Sequence, residues 1–277
     1  MANGIGAVII GLLTGFLVGA SAIGSGSLVT PLLLLLTPVP TGTAIGTSLA
    51  LAAGTKLFGY VAHHRMGHIH HRLGAMVIAG ALPGTAAAAL LLAGLRRSTL
   101  AAIPARQAVG VLLVLLAGLL LLAPRCGRLF AQKGPAARAR TRGTTMPGTA
   151  ALLTGAAVSL VVTLTSIGSG GLLMLCFLLW RPVPGSSRMS EQEAGRLPLC
   201  SLVGTATLCG LVATLFGTLA HIALDNINGR LLAELASGSL PGVLLGARLS
   251  RRIPEGYYTA GIAGLNLLLG LRLAWAG

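Results

Sequence analysis

The sequence predicts an all-α integral membrane protein: two homologous repeats of about four transmembrane helices each, every repeat carrying in addition a short, glycine-flanked half-helix or re-entrant segment. Three observations lead there. The chain is 54% hydrophobic and only 9% charged, against roughly 25% charged residues in ordinary soluble domains. Its apolar residues are gathered into runs long enough to cross a bilayer, whose hydrocarbon core of about 30 Å takes about 20 residues of helix. And the second half of the chain repeats the first.

Long apolar segments fall at 4–22, 43–62, 73–95, 105–123, 147–165, 197–223, 229–249 and 257–276. Two others, Leu28 to Leu36 and Leu172 to Trp180, are too short to span comfortably, and each follows a Gly/Ser stretch. The first run lacks the positive leading region of a signal peptide and reads as the first span. Between the halves lies a segment holding Arg125, Arg128, Lys133, Arg138, Arg140 and Arg142 among Gly, Ala and Pro. It has too little apolar surface to fold alone and suits a cytoplasmic connector. The division is therefore 1–123 as the N-terminal repeat, 124–146 as the basic connecting loop, and 147–277 as the C-terminal repeat.

The duplication is visible residue by residue. Ser21-Ala22-Ile23-Gly24-Ser25-Gly26-Ser27-Leu28 recurs as Thr165-Ser166-Ile167-Gly168-Ser169-Gly170-Gly171-Leu172. At a later, constant register Gly46-Thr47 matches Gly204-Thr205, Leu57-Phe58-Gly59 matches Leu215-Phe216-Gly217, Ala62-His63 matches Ala220-His221, and Gly80-x-Leu82-Pro83-Gly84 matches Gly238-x-Leu240-Pro241-Gly242. Shared Phe, His and Pro residues, and Arg72 with Arg230 in the same register, go beyond common hydrophobicity.

Two topologies follow from the short segments. If each stays on one side of the membrane, each half has four crossings, the halves run parallel, and Lys and Arg divide almost evenly between the two sides. If each crosses, there are five per half, the halves are inverted, and the basic loops gather on one side. Segment length favours four crossings, which is the expectation carried forward, and charge favours five.

A net charge of +15 would suggest nucleic acid in a soluble protein. Here the basic residues lie between apolar runs and no soluble module could present such a surface, so nucleic acid is excluded as a partner. The expected partners are a small anionic substrate and the lipid bilayer, with self-association into a homo-oligomer left open. Cys126, Cys176, Cys200 and Cys209 show no paired spacing and read as small apolar residues.

Paired, glycine-interrupted short segments in repeated halves point to a transporter site near the midplane. A helix that starts inside the membrane presents unpaired N–H groups and a positive dipole end, which attract an anion. Gly24, Ser25, Gly26 and Ser27, with Gly168, Ser169, Gly170 and Gly171, are the candidate starts. Thr47, Ser48 and Thr205 offer hydroxyls beside them. Lys56, inside the second long span, is a candidate countercharge, with snorkelling to the interface as its plainer role. Glu234 is the candidate for proton coupling, weighed against a simple Arg230–Glu234 pair one helical turn apart. His63 and His221 correspond in the two halves and are candidate gating residues or structural helix ends. The cluster His63, His64, His68, His70 and His71 has no Asp, Glu or Cys nearby to complete a metal site and reads as a polar surface loop; a metal-handling protein or enzyme built on it is the alternative function. A non-transporting assembly partner is the other. The glycines of the Gly-x-Leu-Pro-Gly pair read as helix-packing faces, and Pro83 and Pro241 as kinks.

Gly24-x-Gly26-x-Leu28-x-x-Pro31 followed by Ala44-x-Gly46-Thr47-Ser48, with the weaker second copy Gly168-x-Gly170-Gly171-Leu172 and Gly204-Thr205, resembles the sulfite exporter TauE/SafE family, also called the toluene sulfonate uptake permeases. Ser25 and Ser27 stand where that family often has glycine, and the second copy lacks a proline matching Pro31. The resemblance implies export or uptake of small sulfur-containing anions such as sulfite, sulfonates or sulfoacetate across a prokaryotic inner membrane, and since the residues themselves imply no covalent chemistry, no enzyme activity, cofactor or metal is expected. The residues themselves reach a small anion bound between the halves.

Overall fold

The computed structural model describes residues 4–21, 26–97, 106–107, 109–115, 117–118, 146–179, 199–250 and 255–275. All regular structure among them is helical. The first half supplies α1 (Gly4–Ser21), α2 (Gly26–Leu36), α3 (Thr41–Arg65) and α4 (His71–Arg97), then α5, the described helical residues 106–118. The second supplies α6 (Gly148–Thr165), α7 (Gly171–Leu179), α8 (Leu199–Ala223), α9 (Gly229–Ser250) and α10 (Glu255–Trp275). Within the described residues three stretches are long and apolar enough to cross a membrane by themselves: 71–94, 148–165 and 201–223. The short helices α2 and α7, with 11 and 9 residues, are not. Gly24 and Ser25 lie outside the described residues.

The chain turns where its residues allow. Ser166 ends α6 in the left-handed region, and Gly168 follows at φ 88°. The α3–α4 turn uses Gly67 at φ 69°, and the α8–α9 turn uses Asp225 at φ 54° in the equivalent place; Asp is among the few non-glycine residues that enter this region readily. Thr205 Oγ1 accepts a hydrogen bond from the His70 backbone N–H at 2.9 Å, and Thr47 Oγ1 accepts from the Asn228 N–H at 3.3 Å. His70 Nδ1 then accepts from the Leu73 N–H, as Asn228 Oδ1 accepts from the Leu231 N–H, so each capped turn is held by a threonine of the opposite half.

The halves interlock. The first helix of each half packs along the fourth helix of the other: α1 on α9 and α6 on α4. Glycine permits this closeness. A Cβ on Gly11, Gly15 or Gly19 of α1 would run into the backbone of Leu235, Ser239 or Val243 of α9, and one on Gly80 or Gly84 of α4 would meet Leu152 or Ala156 of α6. Such contacts replace the hydrophobic driving force that is missing between helices in lipid. The reading of the repeated glycines as packing faces therefore holds.

Contact register also fixes direction. Leu49 faces Gly217 and Gly59 faces Thr207, so α3 and its repeat partner α8 run antiparallel. A two-fold axis relating them lies perpendicular to the helices. His68 meets Gly204 and Gly74 meets Leu208, so α4 runs with α8; Leu152 meets Gly80 and Ala156 meets Gly84, so α6 also runs with α4. Since α6 and α8 point the same way, the chain has to return between the end of the one and the start of the other. The described helices thus pair with inverted symmetry, and they are not clearly the two repeats of four spans expected from segment length. A short helix is tolerated at membrane depth where protein surrounds it.

Protein does surround it. Leu28, Val29 and Leu33 of α2 and Leu173 and Phe177 of α7 are buried at the centre of the molecule with Leu49, Leu202 and Leu235. Outward-facing residues include Ile5, Leu13, Phe58, Leu90, Leu153, Leu219, Leu244 and Trp275. Thr14, Thr30, Ser48, Thr163, Thr214, His221 and Asn266 are inside. An apolar exterior over a partly polar interior is the arrangement a bilayer demands.

Candidate anion site

The start of α2 meets the second Gly/Ser turn. A Cβ on Gly26, the first residue of α2, would overlap the Ser166 carbonyl oxygen and come within 2.6 Å of its Oγ. On the other side of this junction α7 begins, and its start is held against α8: the Ser169 carbonyl lies 2.6 Å from a Cβ placed on Gly210. Gly210 sits at the middle of the 25-residue α8. A repeated, glycine-flanked break therefore places a helix start deep in the molecule.

Lys56 reaches this spot. Its Nζ is 3.6 Å from a Cβ position on Gly170 and 3.1 Å from one on Gly210. The ammonium thus lies against the turn that leads into α7. Among the described residues the one ion pair is Arg230–Glu234, and Lys56 has no carboxylate beside it. A cation set against the positive end of a helix, in a place of low dielectric, is unfavourable unless an anion joins the two. Neutral hydroxyls are buried elsewhere in the interior. Ser166 is 1% exposed, and its Oγ, like those of Ser48, Thr30 and Thr163, has no hydrogen-bond partner among the described residues.

The chain matches the sulfite exporter TauE/SafE family model over residues 7–273. The chain belongs to the TauE/SafE family. Two curated relatives from Bacillus subtilis (strain 168) agree in extent: the probable membrane transporter protein YjnA is 29% identical over 96% of this chain and 98% of its own length, and the probable membrane transporter protein YdhB is 26% identical over 94% and 98%. No solved structure matches. As a TauE/SafE protein the chain is a multi-pass membrane transporter of small molecules and not an enzyme.

Of the residues expected from sequence, the TauE/SafE chain sets Gly26 against Ser166, and Lys56 beside Gly170 and Gly210, where the Ser169 carbonyl also lies. Ser27 is buried in the first turn of α2, and Gly171 opens α7. Gly168 serves the backbone: its φ of 88° suits glycine, and a Cβ there would press on Leu172. Thr47 and Thr205 are engaged in the crossed caps, Thr205 also donating to the Ser201 carbonyl at 2.6 Å.

Glu234 accepts from Arg230 Nε at 3.0 Å and packs on Gly4 at the start of α1. Its carboxylate there complements the positive end of α1. His221 is fully buried, with Nε2 2.9 Å from the Thr163 carbonyl and Nδ1 3.3 Å from Asn226 Nδ2. Because a carbonyl only accepts, Nε2 carries the proton and Nδ1 accepts from the amide. His63, its counterpart, stands 5.9 Å from His68 between ring centroids, and His64 stacks on Tyr60 at 5.5 Å.

Sequence reasoning missed Ser166 and Gly210. Ser166 belongs to the repeated motif itself, so position could have nominated it. Gly210 is matched by Ala52 in the first half and carries no signal of its own.

Proposed function

We propose that this chain is a secondary transporter that carries small sulfur-containing oxyanions, such as sulfite or a sulfonate, through a midplane site formed by Lys56, Ser166, Ser169, Gly170 and the N-terminus of α7. One observation carries the reading: Lys56 Nζ stands against the start of α7 with no carboxylate beside it among the described residues. An ammonium at the centre of a spanning helix costs about 2.5–3.5 kcal/mol on insertion scales, and such residues are retained where they line a substrate path. The name of the family supports the sulfur chemistry.

Residues 1–123 and 147–277 act as inverted repeats, joined by the basic segment 124–146. Five passes per half put Arg65, Arg72, the linker and Arg248 on one side, and Arg96, Arg97, Arg106, Arg230 and Arg272 on the other. The richer side faces the cytoplasm under the positive-inside rule. Alternating access rocks the interlocked halves about the α3–α8 contact, driven by the membrane potential or a proton gradient.

The test is flux of sulfite and of a sulfonate into proteoliposomes by wild type, Lys56→Met and Gly170→Ala. Methionine keeps the length of the lysine stem and removes its charge. Wild-type flux that falls at least about tenfold in Lys56→Met and less in Gly170→Ala supports the site. Unchanged flux in a folded Lys56→Met protein overturns it. Gly26→Val is a poor probe, since any side chain there strikes the Ser166 backbone.

A further inference from the structure

We infer that the site takes one singly charged oxyanion, bound off the two-fold axis at α7 alone, with Lys56 as the residue that limits the charge. This rests on the Lys56 site being the substrate site.

A duplicated, inverted protein would be expected to build two equal half-sites, and here they differ. At the register of 158 positions that aligns Thr47 with Thr205, Lys56 falls on Thr214. Thr214 is fully buried, and its hydroxyl is spent on its own helix, 2.9 Å from the Gly210 carbonyl and 2.8 Å from that of Leu211. The two helix starts differ in the same sense. Gly26 at α2 has the carbonyl and hydroxyl oxygens of Ser166 against it; the equivalent Gly170 at α7 has the Lys56 ammonium. One half-site is already covered by the protein's own oxygen. The other presents a cation, and there an external oxygen fits.

The charge available is small. Residues 22–25, which join α1 to α2, are Ala, Ile, Gly and Ser and bring no charge. Arg106 donates to the Leu34 carbonyl at the far end of α2 at 2.8 Å, and Arg230 is tied to Glu234. Among the described residues, what remains at the junction is one ammonium and a helix dipole worth about half a charge, with Ser166 Oγ set against Gly26 on its far side. One negative charge balances this set. A second is left unpaired in a low-dielectric interior.

Methanesulfonate and sulfate are tetrahedral oxyanions of similar size that differ by one unit of charge, so they isolate this property. Purified wild type, Lys56→Arg and Lys56→Met, each shown to be monodisperse and cooperatively unfolding, are titrated calorimetrically with both anions at neutral pH. The expected result is wild-type and Lys56→Arg binding of methanesulfonate at least about tenfold tighter than sulfate, with methanesulfonate affinity falling by a similar factor in Lys56→Met. Equal affinities, or a preference for sulfate, overturn the charge limit and leave the site standing. Binding of neither anion by folded wild type overturns the site as one for sulfur oxyanions. Unchanged methanesulfonate affinity in Lys56→Met removes Lys56 from both. Should Lys56→Met fail to fold, the wild-type comparison still decides the charge class.

Discussion

Replacing Thr205 by valine keeps the shape of a fully buried side chain and deletes one oxygen. That oxygen accepts the His70 N–H at 2.9 Å, a half-buried donor at the head of α4. Losing the acceptor leaves the donor unpaired, which costs about 1–2 kcal/mol where water reaches it incompletely. The symmetry-related change, Thr47→Val, removes a longer contact of 3.3 Å to the N–H of Asn228, and Asn228 is exposed. Water replaces that bond, so the cost stays below about 0.5 kcal/mol. Equivalent positions in the two halves therefore differ in stability by about 1 kcal/mol, and in which turn loosens. Unfolding in mixed micelles measures the first, and amide exchange measures the second. Thr205→Val should speed exchange at residues 66–70 and leave 224–228 unchanged. Equal destabilisation by the two variants, or a His70 amide that exchanges as in wild type, would refute the crossed-cap account.

Glycine substitutions separate packing from open positions. Gly155→Leu drives a side chain into the Val77 backbone and should cost about 3 kcal/mol or more or abolish assembly, whereas Gly54→Ala meets nothing within 4 Å and should stabilise by about 0.5–1 kcal/mol; thermal unfolding in detergent ranks them. His221→Ala empties a buried site and strands the Thr163 carbonyl and the Asn226 amide, at about 2–5 kcal/mol. His63→Ala removes a ring whose Nδ1 has no partner among the described residues and should cost less in the same unfolding assay. For topology, Gly67→Cys and Asp225→Cys, in equivalent turns at opposite ends of the α3–α8 pair, should react with an impermeant thiol reagent from opposite faces of the membrane; labelling from the same face contradicts inversion.

The membrane class, the duplication and the short glycine-flanked segments were legible because each is a property of composition or local pattern. The pairing of Gly46-Thr47 with Gly204-Thr205 even carried the cap positions, although it could not show that each threonine reaches across to the other half. Which helix a repeated glycine face packs on is a tertiary fact: Gly80 and Gly238 look alike in sequence whether they meet their own half or its partner. The expectation of four spans rests on the assumption that a spanning element must be long, which holds for a helix facing lipid and is not required of α2 and α7 inside protein. Lys56 was legible as a charge in an apolar run, and its inward aim was not, since a lysine stem is long enough to point either way. The Arg230–Glu234 pair was legible because the two residues lie one turn apart on the same helix.

The most direct test of the account is a structure of the protein with a selenium-substituted sulfonate bound, in which anomalous scattering locates the ligand without reference to its surroundings. The selenium should lie between Lys56 Nζ and the N-terminus of α7, beside Gly170 and Gly210, at one site per chain. A peak at the start of α2 by Gly26, or at the basic surface and nowhere inside, would contradict it.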